Sequence, residues 1–443
     1  MRGSRPAVSV LVLSWNGRHH LEHCLPALAA QNDPGVEWEL LVLDNGSSDG
    51  TVDWLRSRHP RVKVLASERN LGFCAGNNRL AEAAEGDALV FLNNDTRPEP
   101  DWLRTLVDAY RAAAADVAAI AGRIVDWEGE RLDFGRGIRT FDAHAFQLDF
   151  RRPLAAARVP ADGEELAFAC GGNMLVRRRS FFEAGGFDPG YFAYLEDVDL
   201  GWRLWAGGER VVAAPAVVRH RSSATSDHLG VFHRGFLFER NALLTAFANL
   251  DEEQAPRLLP AIWLAYLSRV EALLVAGDPR AAALRDDPFR GAIANTGGPA
   301  SAESPAPVRQ TLGEKLDQHG AVELARRAVR RIGRRLAGWG LGGAAPELFR
   351  VDHPQAFSHL RAASLFLRAL DESAERRAAL RRRRRRPDRE IFERFPLFLI
   401  PTYPGDERLF ASPGFQSLLA DDLPIERATL ADVMEWHGTG APE

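Results

Sequence analysis

The sequence predicts an α/β fold in which a mostly parallel sheet carries helices on both faces, followed by a mainly α-helical C-terminal region. In the first hundred residues, short aliphatic runs alternate with helical patterns, as they do in βαβ units on a parallel sheet. From Phe232 onward the pattern is mostly helical. The 443 residues exceed one typical domain of about 150 residues. We therefore expect an α/β domain over residues 1–250 and a second, mainly helical region over residues 251–443.

The strands of this sheet are predicted where apolar runs stop at polar or glycine residues. The first four are Val8–Leu13, Glu39–Leu43, Val62–Ala66 and Ala88–Leu92. The helices predicted between them are His20–Ala30, Gly50–Arg58 and Ala75–Ala84. After a helix over Asp101–Ala115 and short strands within 117–159, we predict a strand, two helices and a strand over Ala167–Arg177, Arg178–Ala184, Glu196–Ala206 and Arg210–Ala214.

The C-terminal region contains a stretch rich in Pro, Gly, Ser and Ala, Asn295–Val308, which predicts a linker. Arginine-rich helices are predicted over Gly320–Ala337 and Pro354–Arg385. Six consecutive arginines, Arg381–Arg386, favour a solvated or membrane-facing helix over a nucleic-acid site, because no aromatic residues are interleaved with them. The apolar stretch Leu258–Ala276 is interrupted by charges, so we expect it to pack in a core or lie at an interface rather than to cross a bilayer.

The composition is that of an ordinary globular protein. Hydrophobic residues make up 46% and charged residues 26%, which excludes collagen-like, wholly disordered and small disulfide-stapled classes. The three cysteines, Cys24, Cys74 and Cys170, form no CxxC pair, which argues against a cysteine-ligated zinc site and favours a reducing compartment. The N-terminal residues show no secretory signal pattern, so we expect a cytoplasmic protein. A net charge of −4 provides no molecule-wide field for general nucleic-acid binding.

The first candidate site follows the second strand, in the sequence Leu43–Thr51 (LDNGSSDGT). Ligands of open α/β sheets bind outside the carboxyl ends of the strands. The carboxylate of Asp44 can accept the imide N–H of a uracil or thymine ring, while the Gly and Ser residues form a tight turn. Asp and Asn are also common turn and cap residues, so this motif alone leaves both interpretations open.

The fourth strand ends in three polar residues, Asn93, Asn94 and Asp95. Hard divalent cations prefer oxygen ligands, and one carboxylate completed by phosphate oxygens can hold Mg²⁺ or Mn²⁺. Such a metal neutralises charge on a departing diphosphate. His220 follows another apolar strand and is of a residue type that commonly binds metals. The alternatives are a capped turn at the end of the strand and a hydrogen-bonded structural histidine.

Three carboxylates, Glu196, Asp197 and Asp199, open a predicted helix. The helix dipole by itself accounts for acidic residues in a first turn. Upstream, however, Gly172 and Asn173 belong to a CGGN segment whose backbone a substrate can approach closely. A carboxylate close to an acceptor hydroxyl would act as a general base.

The order of these motifs resembles the family-2 glycosyltransferases of the GT-A fold, a Rossmann-like architecture, and particularly their rhamnosyltransferase-like and galactofuranosyltransferase-like branch. The matching segments lie between residues 6 and 250. In chain order they are Val10–Gly17 (VLVLSWNG), Leu43–Thr51, Arg69–Asn78 (RNLGFCAGNN), Phe91–Thr96 (FLNNDT), Cys170–Arg177 (CGGNMLVR), Phe187–Asp188, Glu196–Arg203 (EDVDLGWR) and His220. Each motif is weak alone, and eight in the same order are specific.

The resemblance implies a binding site for a nucleoside-diphosphate sugar. It implies that Asp44 holds the nucleotide base and that Ser14 and Asn16, at the end of the first strand, line the same pocket. Arg69 and Asn70 resemble the segment that faces the nucleotide and the donor sugar.

The resemblance also implies a metal site and a catalytic base. Asp95 matches the last carboxylate of the DxD motif, and His220 matches the histidine that completes the metal site. Asn93 occupies the first DxD position, where it offers an amide oxygen without charge. Asp197, in the Glu196–Asp197 pair, matches the catalytic base.

The function implied by the resemblance is inverting transfer of a sugar, with Mg²⁺ or Mn²⁺, to a hydroxyl of a glycan or lipid-linked acceptor in cell-wall or polysaccharide biosynthesis. The first donor expected is dTDP-rhamnose and the second a UDP-sugar. For the helical region we expect contact with the inner face of the plasma membrane or a homodimer interface. Two other classes stay open: a catalytically silent scaffold, indicated by Asn93, and a sugar nucleotidyltransferase, whose Gly- and Lys-containing loop is missing between Ser14 and Arg18.

Overall fold

The computed structural model describes residues 7–221, 230–278, 353–419 and 422–434, with the single positions 281, 284 and 285. Their contacts divide the chain into one unit made of Met1–Ala272 with Pro354–Glu443 and another made of Leu273–His353. The predicted linker Asn295–Val308 and the predicted helix Gly320–Ala337 lie outside the described residues. The boundary at residue 250, which separates a transferase module from an appended region, stays a prediction.

The secondary-structure elements are numbered here in chain order. The strands are β1 Val8–Ser14, β2 Trp38–Asp44, β3 Lys63–Ala66, β4 Ala88–Asn93, β5 Thr96–Pro98, β6 Val117–Asp126, β7 Leu132–Phe134, β8 Gly137–Thr140, β9 Ala145–Gln147, β10 Asn173–Arg177, β11 Arg210–His220, β12 Leu397–Leu399 and β13 Ile425–Arg427. The helices are α1 Arg18–Ala29, α2 Thr51–Arg58, α3 Gly72–Ala83, α4 Trp102–Ala112, α5 Arg178–Glu183, α6 Glu196–Ala206, α7 Gly230–Asn249, α8 Ala255–Gly277, α9 Pro354–Arg368, α10 Leu370–Arg383, α11 Asp388–Arg394, α12 Asp406–Ala411, α13 Pro413–Gln416 and α14 Leu430–Val433.

The main sheet has the strand order β3-β2-β1-β4-β10-β6-β11-β5, and β7 pairs with β6. Strands β1 to β4 are parallel to one another, whereas β10 runs antiparallel to β4 and β6. Strands β1 and β4 are apolar and almost wholly buried, as expected when helices cover both faces of a sheet. The predicted α/β class and its first four strands are therefore confirmed.

One predicted strand is too long. The strand expected over Ala167–Arg177 begins only at Asn173. The backbone N–H of Asn173 donates to the carbonyl of Cys170 at 3.0 Å, which closes a turn immediately before the strand. The two glycines of the CGGN segment therefore belong to this turn and not to the sheet.

The C-terminal region is mainly helical, as predicted, and it also adds strands to the first part of the chain. Strands β12 and β13 extend a second sheet of order β13-β12-β8-β9, and β12 pairs in parallel with β8. The long helix expected over Pro354–Arg385 is divided into α9 and α10 around Ala369. A C-terminal segment and the hairpin β8–β9 thus share one sheet.

Two members of the arginine run are not solvated as predicted. The side chains of Arg384 and Arg386 are each only 14% exposed. Arg386 donates to the carbonyls of Trp205 and Glu209 at 3.0 and 3.1 Å, which lie at and just beyond the C-terminal end of α6. A guanidinium there satisfies carbonyls that have no partner inside the helix and interacts favourably with the helix dipole.

Helix α8 is the one described helix that is long and apolar enough to cross a membrane, and 56% of its apolar window is buried inside the protein. Its Arg269 is 3% exposed and pairs with Asp142 at 2.6 Å and with Asp406 at 3.0 Å. A buried charge of this kind is stable when it is paired and hydrogen-bonded. The pairs connect α8 to the segment between β8 and β9 and to α12.

A buried carboxylate, that of Asp388, joins the C-terminal region to α6. Asp388 has no exposed surface and accepts hydrogen bonds from Trp202 Nε1 at 2.8 Å and from the backbone N–H of Asp251 at 2.6 Å. Arg384 forms an ion pair with it at 2.7 Å. Burial is the main influence on the pKa of Asp388 and raises it, so the surrounding donors are needed to keep the carboxylate charged.

We expect Asp388→Ala to lower the free energy of unfolding by about 3–5 kcal/mol, because it leaves Arg384 as a partly buried charge without its partner. The matched control is Glu393→Ala on the same helix, which removes an exposed pair with Arg389 and should cost less than about 1 kcal/mol. Urea unfolding followed by tryptophan fluorescence measures both. Equal effects of the two substitutions would contradict this role for Asp388.

Candidate active site

The site begins where three parallel strands end at the same edge of the sheet. In the pairing of β1 with its neighbours, Leu13 lies opposite both Leu43 and Asn93, and Ser14 lies opposite Asp44. The residues that follow these strands must therefore lie side by side. This register brings together the predicted nucleotide motif after β2 and the predicted metal motif after β4.

The turns after β1 and β2 are joined by hydrogen bonds. The Oδ1 atom of Asn16, a residue with a positive φ of 50°, accepts from the backbone N–H of Ser48 at 2.8 Å, and the N–H of Asn16 donates to Ser47 Oγ at 2.7 Å. Asp44 is buried, and one of its oxygens accepts from the N–H of Ser47 at 3.1 Å. Its other oxygen has no hydrogen-bond partner among the described residues, so it retains the capacity to accept one.

A second connection joins the turn after β2 to the segment that precedes α3. Asn45 Nδ2 donates to Asn70 Oδ1 at 2.9 Å, and Asn45 Oδ1 accepts from the N–H of Leu71 at 2.9 Å. At Gly46, whose φ is +80°, a Cβ would lie 2.6 Å from the carbonyl carbon of Arg69. The close approach of the two segments therefore requires glycine. The side chain of Arg69 itself is exposed.

Asp95 and His220 meet because of the pairing between β5 and β11, in which His220 lies opposite Thr96. His220 Nε2 is 3.4 Å from Asp95 Oδ1, and His220 Nδ1 is 2.6 Å from Asp133 Oδ2. Burial by itself would lower the pKa of His220, but the two carboxylates outweigh it and raise the pKa to about 10. Burial raises the pKa of Asp95, and its interaction with His220 more than offsets this, so the net shift is downward.

These two residues fit one side of a divalent metal site. A carboxylate and an imidazole face the same cavity, and the buried Asp95 Oδ1 accepts no hydrogen bond from any residue that the structure describes. Nitrogen and oxygen donors of this kind suit Mn²⁺ and Mg²⁺ when oxygen ligands complete the shell. Three or more His, Cys, Asp or Glu side chains do not converge as a metal site anywhere in the part of the chain that the structure describes.

Asp197 and Glu196 open helix α6 and differ in their surroundings. The two oxygens of Asp197 accept from the backbone N–H groups of Gly171 at 3.1 Å and Val198 at 2.8 Å. Glu196 is 7% exposed, and its Oε2 atom has no hydrogen-bond partner among the described residues. Burial, followed by repulsion from Asp197, raises the pKa of Glu196 well above its usual value.

Burial also raises the pKa of Asp197, although the hydrogen bonds that it accepts oppose this shift. The two carboxyl groups therefore titrate in sequence. The backbone N–H groups of Gly171 and Val198 favour the charged form of Asp197, whereas no donor among the described residues reaches Glu196 Oε2. Asp197 is therefore the member of the pair whose charged form is better stabilised.

Glycines keep the backbone close to these side chains. A Cβ at Gly172 would lie 2.8 Å from Asn93 Nδ2, so a larger residue would displace that amide. A Cβ at Gly17 would lie 2.2 Å from Asn94 Nδ2, which instead donates to Ser14 Oγ at 3.0 Å. Asn94 and Ser14 thereby fix the end of β1 against the end of β4.

All of these groups surround or adjoin one cavity of about 910 Å³. The strand ends form part of its wall, and β9, α7 and the C-terminal region supply much of the rest. This second part is rich in aromatic and apolar side chains, among them Phe146, Phe150, Phe168, Phe238, Tyr403 and Met434.

A buried ionic network supports the second part of the wall. Glu239 accepts from Tyr403 Oη at 2.7 Å and lies 3.2 Å from His144 Nε2. His144 Nδ1 is 3.2 Å from Asp142. Burial opposes a charge on His144, but the two carboxylates raise its pKa to about 10. Both ring nitrogens of His144 therefore act as donors, and the ring is held in a fixed orientation.

The predicted site residues divide into two groups. Those that line the cavity are Asn70, Asn93, Asn94, Asp95, Gly172, Glu196, Asp197 and His220. Ser14, Asn16 and Asp44 lie behind this lining in the joined strand-end turns, and the exposed side chain of Arg69 does not line the cavity. Their assigned roles stay predictions.

Asn173, which was predicted to belong to the donor site through its CGGN segment, does not line the cavity. It is fully buried. Its Oδ1 accepts from Trp102 Nε1 at 2.8 Å, and its Nδ2 donates to the carbonyls of Arg123 and Ala216 at 3.0 and 3.1 Å. All the polar atoms of this side chain therefore form hydrogen bonds inside the fold. We therefore assign Asn173 to the fold.

Several cavity residues were missed from the sequence. Asn45 follows Asp44 directly, and its position in the same turn could have identified it. Asp133 reaches His220 only through the pairing of β7 with β6, which no local pattern reveals. His144, Glu239 and Tyr403 come from three distant segments and carry no motif.

Comparison with known proteins gives the following matches. The mannosyltransferase PcManGT from Pyrobaculum calidifontis, solved in complex with GDP-Man and Mn²⁺, is 18% identical with a TM-score of 0.42, over 82% of this chain and 88% of that chain. The O-antigen biosynthesis protein RfbC of Myxococcus xanthus is 31% identical over 237 residues, which are 51% of this chain and 18% of that protein. The N-acetylglucosaminyl-diphospho-decaprenol L-rhamnosyltransferase of Mycobacterium tuberculosis is 30% identical over 262 residues, which are 53% of this chain and 84% of the relative.

Residues 9–184 match the family model described as Glycosyl transferase family 2. Together with the extent of the match to the mycobacterial rhamnosyltransferase, this shows that the chain belongs to glycosyltransferase family 2. It is a glycosyltransferase enzyme with the GT-A fold, and the family and fold indicated by the ordered sequence motifs are confirmed.

Proposed function

We propose that this glycosyltransferase moves a rhamnosyl group from dTDP-rhamnose to a hydroxyl group of a lipid-linked glycan, by a single displacement with inversion. The observation that carries the proposal is that Asp197 and the Asp95–His220 pair face the same cavity. Transfer from a nucleoside-diphosphate sugar needs one group that binds the diphosphate and a second group that accepts the proton of the attacking acceptor hydroxyl. The cavity offers both.

The donor would bind across the strand ends. The free acceptor oxygen of Asp44 supports recognition of a pyrimidine imide N–H, and the hydrogen-bonded Asn45–Asn70 pair supports a preformed surface for the rest of the nucleotide. Asp95 and His220 would hold a divalent cation together with the phosphate oxygens. When bound, this cation neutralises charge on the diphosphate as it leaves.

The acceptor would approach from the aromatic part of the wall. Aromatic side chains such as Phe146 and Phe238 offer apolar faces that suit the C–H faces of a sugar ring. Asp197 would remove the proton from the attacking hydroxyl as its oxygen bonds to the anomeric carbon and the bond to the diphosphate breaks. Burial favours the neutral form of Glu196 beside it, and one displacement with one base completes the transfer.

The choice of sugar and acceptor follows the curated relative, which is named for L-rhamnosyl transfer to N-acetylglucosaminyl-diphospho-decaprenol. We propose an acceptor of the same chemical class, a sugar attached through a diphosphate to a polyprenol. Helices α8 and α9 leave the large apolar side chains Leu264, Leu267, Phe357 and Leu360 exposed. This supports contact with the cytoplasmic surface of a membrane that carries such an acceptor.

The proposal predicts that Asp197→Asn reduces kcat by about 10²–10⁴-fold, the usual contribution of a general base, while nucleotide affinity stays near that of the wild type. Release of nucleoside diphosphate from dTDP-rhamnose and from UDP-sugars, with Mn²⁺ and a diphospholipid-linked N-acetylglucosamine acceptor, measures the rate. The control is Asp108→Asn, which changes an exposed carboxylate on α4. Full turnover in Asp197→Asn would refute the assignment, and a wild type inactive with every donor would favour a silent scaffold.

The pKa of Asp197 predicts how activity depends on pH. A base must be ionised to accept a proton, and burial raises the pKa of Asp197. We therefore expect kcat/KM to fall as the pH is lowered through a value above the usual aspartate pKa of about 3.9. Because the pKa of Glu196 is raised well above its usual value, Glu196→Gln should leave the position of this acidic limb unchanged. A limb that moved markedly to lower pH in that variant would show that Glu196 is ionised and repels Asp197.

The contact between Asp133 and His220 predicts an effect on metal binding. Carboxylates that orient a metal-binding histidine usually contribute 10–100-fold to affinity, so Asp133→Asn should weaken Mn²⁺ binding by about that factor in the presence of a nucleoside diphosphate. Electron paramagnetic resonance of free Mn²⁺ measures this without any turnover. Asp126→Asn is the control, because Asp126 lies opposite His220 in the β6–β11 pairing but accepts from backbone N–H groups of its own turn. Equal losses in both variants would remove the role of Asp133.

A further inference from the structure

The segment that leads into α6 has an unusual backbone. Phe192, Tyr194 and Leu195 all have positive φ values, of 66°, 71° and 64°, although none of them is glycine. Each such residue costs about 1–3 kcal/mol and persists only where its surroundings hold it. Leu195 is the residue immediately before α6, so this strained segment determines where the helix starts and where Glu196 and Asp197 point.

Asn241 of α7 donates hydrogen bonds to the segment, and Phe238 of the same helix stacks on the ring of Tyr194. Asn241 is fully buried, and its Nδ2 atom donates to the carbonyls of Tyr191, Ala193 and Tyr194 at 3.2, 2.8 and 2.7 Å. An amide NH₂ group has two hydrogens, so three carbonyls share them. The three carbonyls belong to the peptide groups that immediately precede Phe192, Tyr194 and Leu195, the residues with positive φ.

Arg240 fixes Asn241 in turn. Its Nε and Nη2 atoms donate to Asn241 Oδ1 at 3.0 and 2.9 Å, and Nη2 also donates to the carbonyl of Tyr191 at 2.7 Å. With its oxygen occupied by a guanidinium, the Asn241 amide can present only its NH₂ group to the segment. The orientation of the amide is therefore set by its neighbour.

The other side of the segment rests on the strand-end region. The carbonyl of Phe192 accepts from the backbone N–H of Cys74 at 3.2 Å. The ring of Phe192 lies so close to Gly72 that a Cβ there would be 2.5 Å from a ring carbon. Gly72 in turn donates its N–H to Asn70 Oδ1 at 2.8 Å. The segment thus bridges α7 and the part of the site assigned to the nucleotide.

We infer that Asn241, oriented by Arg240, is a positioning residue that holds Phe192–Leu195 in its strained conformation and thereby aims the Asp197 carboxylate into the cavity. The inference rests on the proposed function for the role of Asp197 as a base. The claim that Asn241 holds the segment does not depend on the proposed function, because Asn241 contacts the backbone of the segment and not the cavity.

The experiment compares Asn241→Ala with Asn249→Ala. Asn249 lies on the same helix and is equally buried, but its Nδ2 donates to the side chain of Asp199 at 2.7 Å and does not touch the segment. Hydrogen exchange followed by mass spectrometry reports on the amides of Phe192–Val198 without requiring activity. We expect exchange there to become about tenfold faster in Asn241→Ala, given the hydrogen bonds lost, and to change little in Asn249→Ala.

Kinetics test the second half of the inference in the same variants. A base misplaced by about 1 Å costs on the order of 10²-fold, so kcat should fall by that factor in Asn241→Ala while KM for the donor changes little. Arg240→Lys, which keeps the charge but lacks the guanidinium fork, should give a smaller change in the same direction and serves if Asn241→Ala does not fold.

Unchanged exchange over Phe192–Val198 in Asn241→Ala and Arg240→Lys would overturn the inference. So would faster exchange with an unaltered kcat, or equal losses of kcat in Asn241→Ala and Asn249→Ala. A wild type that transfers no sugar would instead refute the proposed function, and the exchange data would still decide whether Asn241 holds the segment.

Discussion

The register of three parallel strands is the constraint on which the site depends. Because β1, β2 and β4 stop together, the turns that follow them are adjacent without any long-range pairing of motifs along the chain. The hydrogen bonds of Asn16 join the turns after β1 and β2, and the hydrogen bond from Asn94 to Ser14 joins the turn after β4 to the end of β1. A shift of one residue in any of these strands would turn every side chain to the other face of the sheet, so the buried apolar faces of the strands and the polar site specify the same arrangement.

Burial gives the carboxylates of this cavity different chemistry. Asp95 is kept charged by His220, whereas Asp197 and Glu196 have few compensating charges and their pKa values rise. One cavity thus contains a carboxylate suited to a cation and another suited to accepting a proton.

The regions after residue 184, beyond the match to the family model, supply β11 with His220, the strained segment before α6 and much of the aromatic wall. The part of the chain beyond the family-model match therefore completes the cavity.

The sequence predicted what local patterns encode. Strands β1 to β4 and helices α1 to α3 follow from apolar runs and turn residues, and Asp44, Asp95 and Asp197 follow from abrupt polarity at the ends of elements.

Contacts made across the fold were not predictable. Asn173 looked like part of a substrate-binding turn because its neighbours are glycines, but its burial beside Trp102 makes it structural. Arg384 and Arg386 were predicted to be solvated because they belong to a charged run. Arg386 instead donates to carbonyls at and beyond the end of α6, and Arg384 donates to the buried Asp388. Asp133 and Glu239 act through partners distant in sequence.

The most direct test is a crystal structure of the wild-type enzyme with dTDP and Mn²⁺, with diffraction data collected so that the anomalous scattering of manganese is recorded. We expect an anomalous difference peak for manganese between Asp95 and His220. We also expect the pyrimidine ring to lie beside Asp44 and the terminal phosphate to be directed to the space in front of Asp197. A nucleotide bound away from the strand ends, or a metal peak remote from Asp95 and His220, would contradict these expectations.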